Sequence, residues 1–492
     1  MQNTYTDLRR HYRWLFTSLV ALVLLVLMPP AKADDTGSNT LALDTPDETL
    51  LGDFPEMLAR RQIRVLVVYS RTFYFIDKGQ QLGLAYETMQ AFAEQLNKKH
   101  RTGRLPIKFI YIPVHRDDLI PALIEGRGDI ASANLTITDR RLEKADFADP
   151  FVSNIAEVLV QGPNAKPITQ LEQLAGQTVY VRQTSSYYDS LLLLNQRFEE
   201  QGLDSVQLKL APNALEDEDL MQLAASGLVD NLVVDQHKAD LWQKVLPKLN
   251  VRTDVRLRED GQIAWMLRQN SPLLQAEINA FVATQTRKNK DRNWRIIKYL
   301  KRTGYINNTQ SQEARQRFDR TIELFRQYSS QYDADYLLMM AQAYQESRLN
   351  QSARSHAGAI GIMQLLPSTG KAMGVGDIRN LEANIHAGVK YVRHIAEQYF
   401  NDPAIDSLNR HLFSFAGYNA GPNRIQRLRK LAAKRGLDPN VWHNNVERVV
   451  AEKVGRETVN YVANIYAYYI AYTLAVESTG TRRELREELK AQ

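Results

Sequence analysis

Ile63-Arg-Val-Leu-Val-Val-Tyr69 is a short, β-branched apolar run, and the fold of the first half of the chain follows from it. Such a run is a buried strand. Gly83 to Leu96 comes next, with Leu84, Met89, Phe92 and Leu96 at approximately helical steps. Ile107 to Ile112 is a second strand. Leu119 to Ile124 is a helix that stops at Gly126, and Asp129-Ile130 leads into another extended run. Strands alternating with helices predict an α/β layer architecture.

A weak internal repeat points to two similar lobes. Ala122-Leu-Ile-Glu-Gly126-Arg-Gly-Asp129 precedes an apolar run, and Leu223-Ala-Ala-Ser-Gly227-Leu-Val-Asp230 precedes Leu232-Val233-Val234. Each reads as a helix, a glycine stop, and an acidic residue opening a strand. Glycine supplies the left-handed backbone that closes a helix.

The bulk properties set outer bounds. A chain of 492 residues holds roughly two to four domains. With 44% hydrophobic and 24% charged residues it is of ordinary globular composition. The net charge of +6 suits acidic partners without choosing among nucleic acid, anionic lipid and an anionic wall. Cysteine is absent, which excludes disulfides, zinc–thiolate sites, cysteine nucleophiles and a lipid-bearing N-terminal cysteine.

Arg9, Arg10 and Arg13 precede the apolar stretch Trp14 to Met28, which is followed by Pro29, Pro30 and the small-x-small triplet Ala31-Lys-Ala33. The stretch is shorter than the roughly 20 residues of a spanning helix. Residues 1–33 are therefore expected to be a cleaved signal peptide, with 34–59 a flexible lead-in. The mature protein is expected in the periplasm.

After a polar stretch, expected to be a linker over 301–317, the texture changes. Strand-like runs give way to long helical patterns. Tyr336 to Ser347 carries Leu337, Met340, Ala341 and Tyr344 on one face. Leu381 to Phe400 and Val459 to Leu474 read as further helices. Three segments interrupt the pattern. Glu346-Ser347 is followed by Gly358-Ala-Ile-Gly361-Ile-Met363-Gln364-Leu-Leu-Pro367, expected to be a tight loop opening into a helix that stops near the proline. Ala416-Gly-Tyr418-Asn419-Ala-Gly421-Pro422 is expected to be a compact turn, and Glu457-Thr-Val-Asn-Tyr461-Val462 to lie on a helix. Aromatic rings, amides and acids in this combination are what a polysaccharide cleft needs.

Two resemblances join these readings. Residues of about 60–300 resemble the extracellular solute-binding family that serves amino-acid uptake. The resemblance rests on Asn134-Leu-Thr136-Ile-Thr-Asp-Arg-Arg141, Ala145-Asp-Phe147-Ala-Asp-Pro150-Phe151, Gln177 to Val181 and Val233-Val-Asp235. It implies two lobes with a ligand clamped between them, contacted by Thr136, Arg141 and Asp235. Arg141 would grip a carboxylate, to which a guanidinium fork is suited, and Asp235 would take an amino group. Thr184-Ser-Ser186 and Glu87 depart from that family's pattern, where a glycine and an aspartate are usual.

The second half resembles the soluble-lytic-transglycosylase family. It shares an ES pair (Glu346-Ser347), a G-(L/I)-M-Q loop (Gly361 to Gln364), an AYNAG turn (here Gly417 to Gly421 after Ala416) and an ETxxYV helix (Glu457 to Val462). Ile362 and Gly417 are its slight departures. The resemblance implies an all-α, lysozyme-like domain over 318–492 that cleaves peptidoglycan glycan strands without water, leaving 1,6-anhydro ends. Glu346 would be the catalytic acid and then base. Ser355, Met363, Gln364, Tyr418, Asn419, Glu457 and Tyr461 would line the sugar subsites. Glu457 has a structural alternative as a bridge between helices. No cofactor, metal or nucleic acid is implied. A muropeptide or amino acid is the expected ligand of the first domain, and the family favours peripheral attachment to the outer membrane. Two other readings are open: a hydrolase using Glu346 and Glu457 as a pair, and a solute-binding sensor whose helical domain only anchors it to the wall.

Overall fold

The computed structural model describes residues 49–491, except Lys78, Asn213, 287–289 and 302–311. The expected signal peptide, the lead-in up to residue 48 and the linker over 302–311 lie outside the described residues. The end of the lead-in corrects expectation, because it is built into the fold. Asp53 caps helix α1 (Phe54–Arg60) in a capping box with Glu56. The same carboxylate accepts from the backbone N–H groups of Leu273 and Leu274, each at 2.8 Å. One side chain thus satisfies the orphan donors of two helix starts. At its far end the linker is also shorter than expected, since the chain is helical again from Gln312.

Among the described residues, the α/β part has a nine-stranded sheet that runs through both lobes, a separate two-stranded hairpin, and three core clusters, two in the first lobe and one in the second. In the first lobe, β1 (Gln62–Val67), the hairpin β2 (Phe75–Asp77) and β3 (Gln80–Leu82), α2 (Leu84–Lys99), β4 (Lys108–Pro113), α3 (Leu119–Ile124), β5 (Ile130–Thr136), α4 (Asp139–Leu142) and β6 (Asp146–Phe147) follow in order. β1 is parallel to both β4 and β5. β7 (Val152–Gln161) crosses to the second lobe, which contains β8 (Thr178–Val181), α5 (Ser186–Glu200), β9 (Gln207–Leu210), α6 (Asp217–Ala225), β10 (Asn231–Asp235) and α7 (Gln236–Gln243). There β8 is parallel to β9 and β10. β11 (Asn250–Leu267) crosses back antiparallel to β7 and pairs with β5. α8 (Pro272–Thr286) and α9 (Lys290–Ile296) complete the first lobe.

The repeat read from sequence marks corresponding places: α3 ends at Gly126 (φ +81°) before β5, and α6 at Gly227 (φ +84°) before β10. The two acids diverge. Asp129 is fully buried among Arg60, Arg64 and Arg268, whereas Asp230 is exposed.

The remainder is helical: α10 (Gln312–Gln331), α11 (Tyr336–Ser347), α12 (Pro367–Met373), α13 (Leu381–Tyr399), α14 (Ser407–Ala420), α15 (Pro422–Lys434), α16 (Glu447–Lys453) and α17 (Arg456–Ala491). Two local expectations are corrected. Pro367 begins a helix instead of stopping one, because at the first helical position its missing N–H costs nothing. The segment at 416–420 is the last turn of α14, and the break comes only at Gly421 (φ +89°) and Pro422.

The last helix joins both parts. Its Val459, Tyr461 and Ile465 belong to the helical core, while Ile470 is buried with Leu66, Ile110 and Ile112 of the first lobe. Farther along, Leu485 packs on the second lobe's core. Polar contacts reinforce the seam. Arg61 pairs with Glu447, Lys108 Nζ donates to Asn460 Oδ1 at 2.7 Å, and the Tyr472 hydroxyl donates to the Gly79 carbonyl at the tip of the β2–β3 hairpin. Among the described residues, no helix is long and apolar enough to cross a membrane.

Candidate active site

α11 is the central helix of the all-α part. Asp335 caps it, accepting from Leu337 N at 2.7 Å, and is itself held by the Tyr469 hydroxyl at 2.8 Å. Every residue from Leu338 to Tyr344 is buried. The helix ends where Arg348 and Leu349 both take left-handed backbone (φ +57° and +59°).

Glu346 stands in the last turn, partly exposed beside this buried core. Burial raises its carboxyl from an ordinary 4.5 to about 7, against the opposing pull of a hydrogen bond from Tyr461. The helix C-terminus, with its unsatisfied carbonyls, also disfavours a negative charge there. The Tyr461 hydroxyl donates to Glu346 Oε1 at 2.5 Å and accepts from Gln342 Nε2 at 3.2 Å. Gln342 is fully buried, and its Oε1 has no partner. Tyr418 lies close enough for the Glu346 charge to raise its hydroxyl pKa, after the larger effect of burial. Among the described residues, no second carboxylate perturbs Glu346.

The neighbouring loop is held from three sides. Ser347 Oγ donates to the Ile362 carbonyl at 2.8 Å. Tyr418 donates to the Met363 carbonyl at 2.7 Å. Asn384, fully buried on α13, accepts from Met363 N at 2.8 Å and donates to the carbonyls of Ile360 (3.0 Å) and Ile378 (2.8 Å). Gly361 is required at its place. Its φ is +84°, and a Cβ would lie 2.2 Å from the Asn384 amide.

The structure thus brings Glu346, Tyr418 and Tyr461 together, and places the other expected site residues as follows. The Met363 side chain is fully buried against Gly388; it is a core residue with no surface to offer a sugar, which corrects its expected subsite role. The Gln364 amide folds back onto the Gly361 carbonyl at 2.8 Å. Ser355 Oγ accepts from Ala359 N at 3.0 Å, closing its own loop. Asn419 is exposed and accepts from Thr458 Oγ1 at 2.7 Å. Glu457 is exposed in the first turn of α17 and forms no ion pair or hydrogen bond to a described residue, so it is not a bridge between helices. Asn384 and Gln342 were missed. Both partner backbone or side chains distant in sequence, and no local pattern marks them.

In the α/β part, Arg141 is buried and donates to the carbonyls of Thr136 (2.6 Å) and Thr184 (3.0 Å), one from each lobe. Burial, with Arg116 nearby, lowers its guanidinium to about 10. Asp235 Oδ2 accepts from Asn134 at 2.8 Å and lies 3.1 Å from Lys238 Nζ, while its Oδ1 is buried without a partner. Between the lobes runs a buried network that the sequence did not suggest. Arg116 forks onto Glu216 at 2.8 and 2.6 Å, Arg182 bridges Glu216 and Asp217, and Lys238 meets Asp217 at 2.6 Å. The readable signal was four consecutive acids, Glu216 to Asp219, at a helix start. What hid the network was the distance of its basic partners along the chain.

Comparison with known proteins agrees with this two-part layout. The family described as "Bacterial extracellular solute-binding proteins, family 3" matches residues 63–294, and "Transglycosylase SLT domain" matches 323–440. A protein of Desulfosudis oleivorans named membrane-bound lytic murein transglycosylase F is 28% identical over 83% of this chain and 89% of its own. One of the same name from Pseudomonas putida strain GB-1 is 29% identical over 83% and 84%. Among solved structures, an ancestral arginine-binding protein bound to arginine covers 48% of this chain and 97% of its own, at 23% identity and a TM-score of 0.40. The chain therefore joins a family 3 solute-binding domain to a transglycosylase SLT domain and is homologous along most of its length to the membrane-bound lytic murein transglycosylases F.

Proposed function

We propose that this protein is a peptidoglycan lytic transglycosylase in which Glu346 is the sole catalytic carboxyl. The observation that carries the reading is a carboxyl raised to about 7 with one tyrosine hydroxyl on it and no second carboxylate acting on it. A glycosidase with two catalytic carboxyls needs them within about 5–10 Å of each other. Protonated Glu346 gives its proton to the oxygen leaving C1 of MurNAc. The resulting carboxylate then takes the proton of the MurNAc 6-hydroxyl as O6 bonds to C1. The group ends protonated, the glycan ends in a 1,6-anhydro ring, and no water is consumed. A pKa near the working pH suits a group that must both give and take a proton. Tyr461 holds the carboxyl in place. Tyr418, Asn419, Gln364, Ser355 and Glu457 border the substrate path. Mass spectrometry of digested wall tests this: anhydro ends are expected from the wild type and none from Glu346→Gln. Reducing ends would replace the reading by hydrolysis.

The first domain, ending before the linker, is proposed to bind wall peptides and alter the rate of the second. Arg141 would hold a peptide carboxylate. Thr136 would line the same site, and Asp235, with one oxygen still without a partner, would take an amino group. Ligand must favour one arrangement of the lobes for such coupling to exist. A stem peptide titrated into the wild type should bind and change the anhydro-product rate, and Arg141→Ala should lose both effects. Binding without a rate change would leave only tethering. The protein is proposed to lie in the periplasm after signal cleavage near Ala33, peripherally on the outer membrane. N-terminal sequencing that found Met1 in a carbonate-resistant membrane fraction would overturn this.

A further inference from the structure

A cavity of about 220 Å³ lies beside the two crossing strands of the α/β part. Phe73, Leu84, Trp265 and Leu300 are among its walls, with His237 and Arg295 as polar members. None of Thr136, Arg141 and Asp235 lines it, but Asn134, which donates to Asp235, does, so it adjoins the grip on amino acids or peptides considered above without sharing its three residues. An apolar cavity of roughly 150 Å³ is enough to hold a benzene ring.

Its polar groups are incompletely used. Arg295 is 8% exposed. One terminal nitrogen donates to Gln285 Oε1 at 2.8 Å, and its Nε has no partner. No described carboxylate stands within ion-pair distance of it, whereas the buried Arg64, Arg116, Arg182 and Arg268 each meet an acid and the buried Arg141 meets two backbone carbonyls. His237 Nδ1 is likewise buried without a partner. Burial lowers that ring to about 4, so it is neutral at pH 7 and able to donate. Asp291, Glu87 and Glu94 act on Arg295 only from beyond ion-pair distance, and a buried cation without an acid in contact is costly unless something anionic completes it. Apolar walls at the same place call for an apolar body on that anion.

We propose that this cavity is a binding site for a small monocarboxylate with an apolar body, its carboxylate on Arg295 and its alkyl chain or aromatic ring between Phe73, Leu84 and Trp265. The site goes beyond the proposed cleavage activity and does not depend on it. It is bounded in part by Ile296 and Leu300, in the segment that leaves the first domain.

The test uses the full mature chain and isothermal titration calorimetry with octanoate, 3-phenylpropionate and 1-octanol. Octanoate or phenylpropionate should bind, and octanol at least about tenfold more weakly, the worth of a hydrogen bond to a charged group. Arg295→Met should weaken the carboxylate by the same factor and leave octanol unchanged, while Arg295→Lys should restore part of the difference. Leu84→Trp, which fills the cavity, should abolish binding of all three without lowering the melting midpoint. No heat from either carboxylate up to millimolar concentration would overturn the proposal. So would carboxylate binding that Arg295→Met and Leu84→Trp leave unchanged. Equal affinity for octanol and octanoate would overturn the assignment of Arg295.

Discussion

At the scale of single residues, Glu346 makes two measurable claims. Cleavage needs its carboxyl protonated, so the rate should fall as pH rises through about 7. Tyr461 donates to the carboxylate and so lowers that pKa. Tyr461→Phe should therefore move the falling limb of the kcat/KM profile to higher pH, besides lowering its height. A limb that does not move would show that the tyrosine does not act on the acid. The second claim concerns stability. The folded carboxyl is raised from 4.5 to about 7, so between those values the folded state holds a proton that the unfolded state releases. Stability then falls as pH rises through this window. Glu346→Gln, which cannot ionise, should melt above the wild type at pH 8, by on the order of 1–2 kcal/mol after allowance for partial exposure. The gap should close at pH 4. Glu346 was legible through the motifs it shares with Gly361–Gln364, Gly417–Gly421 and Glu457–Val462, and its neighbours Met339, Met340 and Ala343 are all buried. Gln342 was not: one turn earlier on the same helix, its role depends on a tyrosine 119 residues away.

At the scale of elements, the strands and helices of the lobes could be read because burial imposes a period, and each helix–glycine–acid repeat marks a real turn. Local chemistry misled where one residue type serves opposite ends of a helix. Pro367 ends a pattern in sequence and starts α12 in space. The loop from Gly361 to Gln364 was recognisable, but not what fixes it. Asn384 satisfies one backbone N–H and two carbonyls, those of Met363 and Ile378 buried and that of Ile360 half-buried. Asn384→Ala would leave these groups unpaired at a cost of roughly 2–4 kcal/mol, and the carbonyl of Ile362 would shift against Ser347. The expected outcome is a lower melting midpoint and a loss of anhydro product larger than the loss of folded protein. Activity that merely tracked the folded fraction would make Asn384 a packing residue only.

At the scale of the whole molecule, two lobes and a helical domain were legible from texture, whereas the contacts between them were not, since each joins segments far apart in sequence. The charged network ties the two lobes together through the chain's own groups. Arg116→Met removes the first lobe's fork and leaves Glu216 with Arg182 alone. The lobes should then separate, seen as a larger radius of gyration by solution X-ray scattering; an unchanged radius would mean that other contacts close the cleft. The seam along α17 has a different consequence. Its 36 residues extend about 54 Å at 1.5 Å per residue, with Tyr461 near one end, Ile470 on the first lobe and Leu485 on the second. The helix therefore works as a camshaft, with each fixture set at its own angle. One extra residue inserted between Tyr472 and Leu485 would rotate everything beyond it by about 100°. Tyr461 would keep its place on Glu346, and Tyr469 and Ile470 theirs, while Leu485 turned off the second lobe. Such a protein should still cut glycan but no longer respond to a peptide bound between the lobes. A seven-residue insertion should bring the angle back while carrying the contacts about 10 Å too far along.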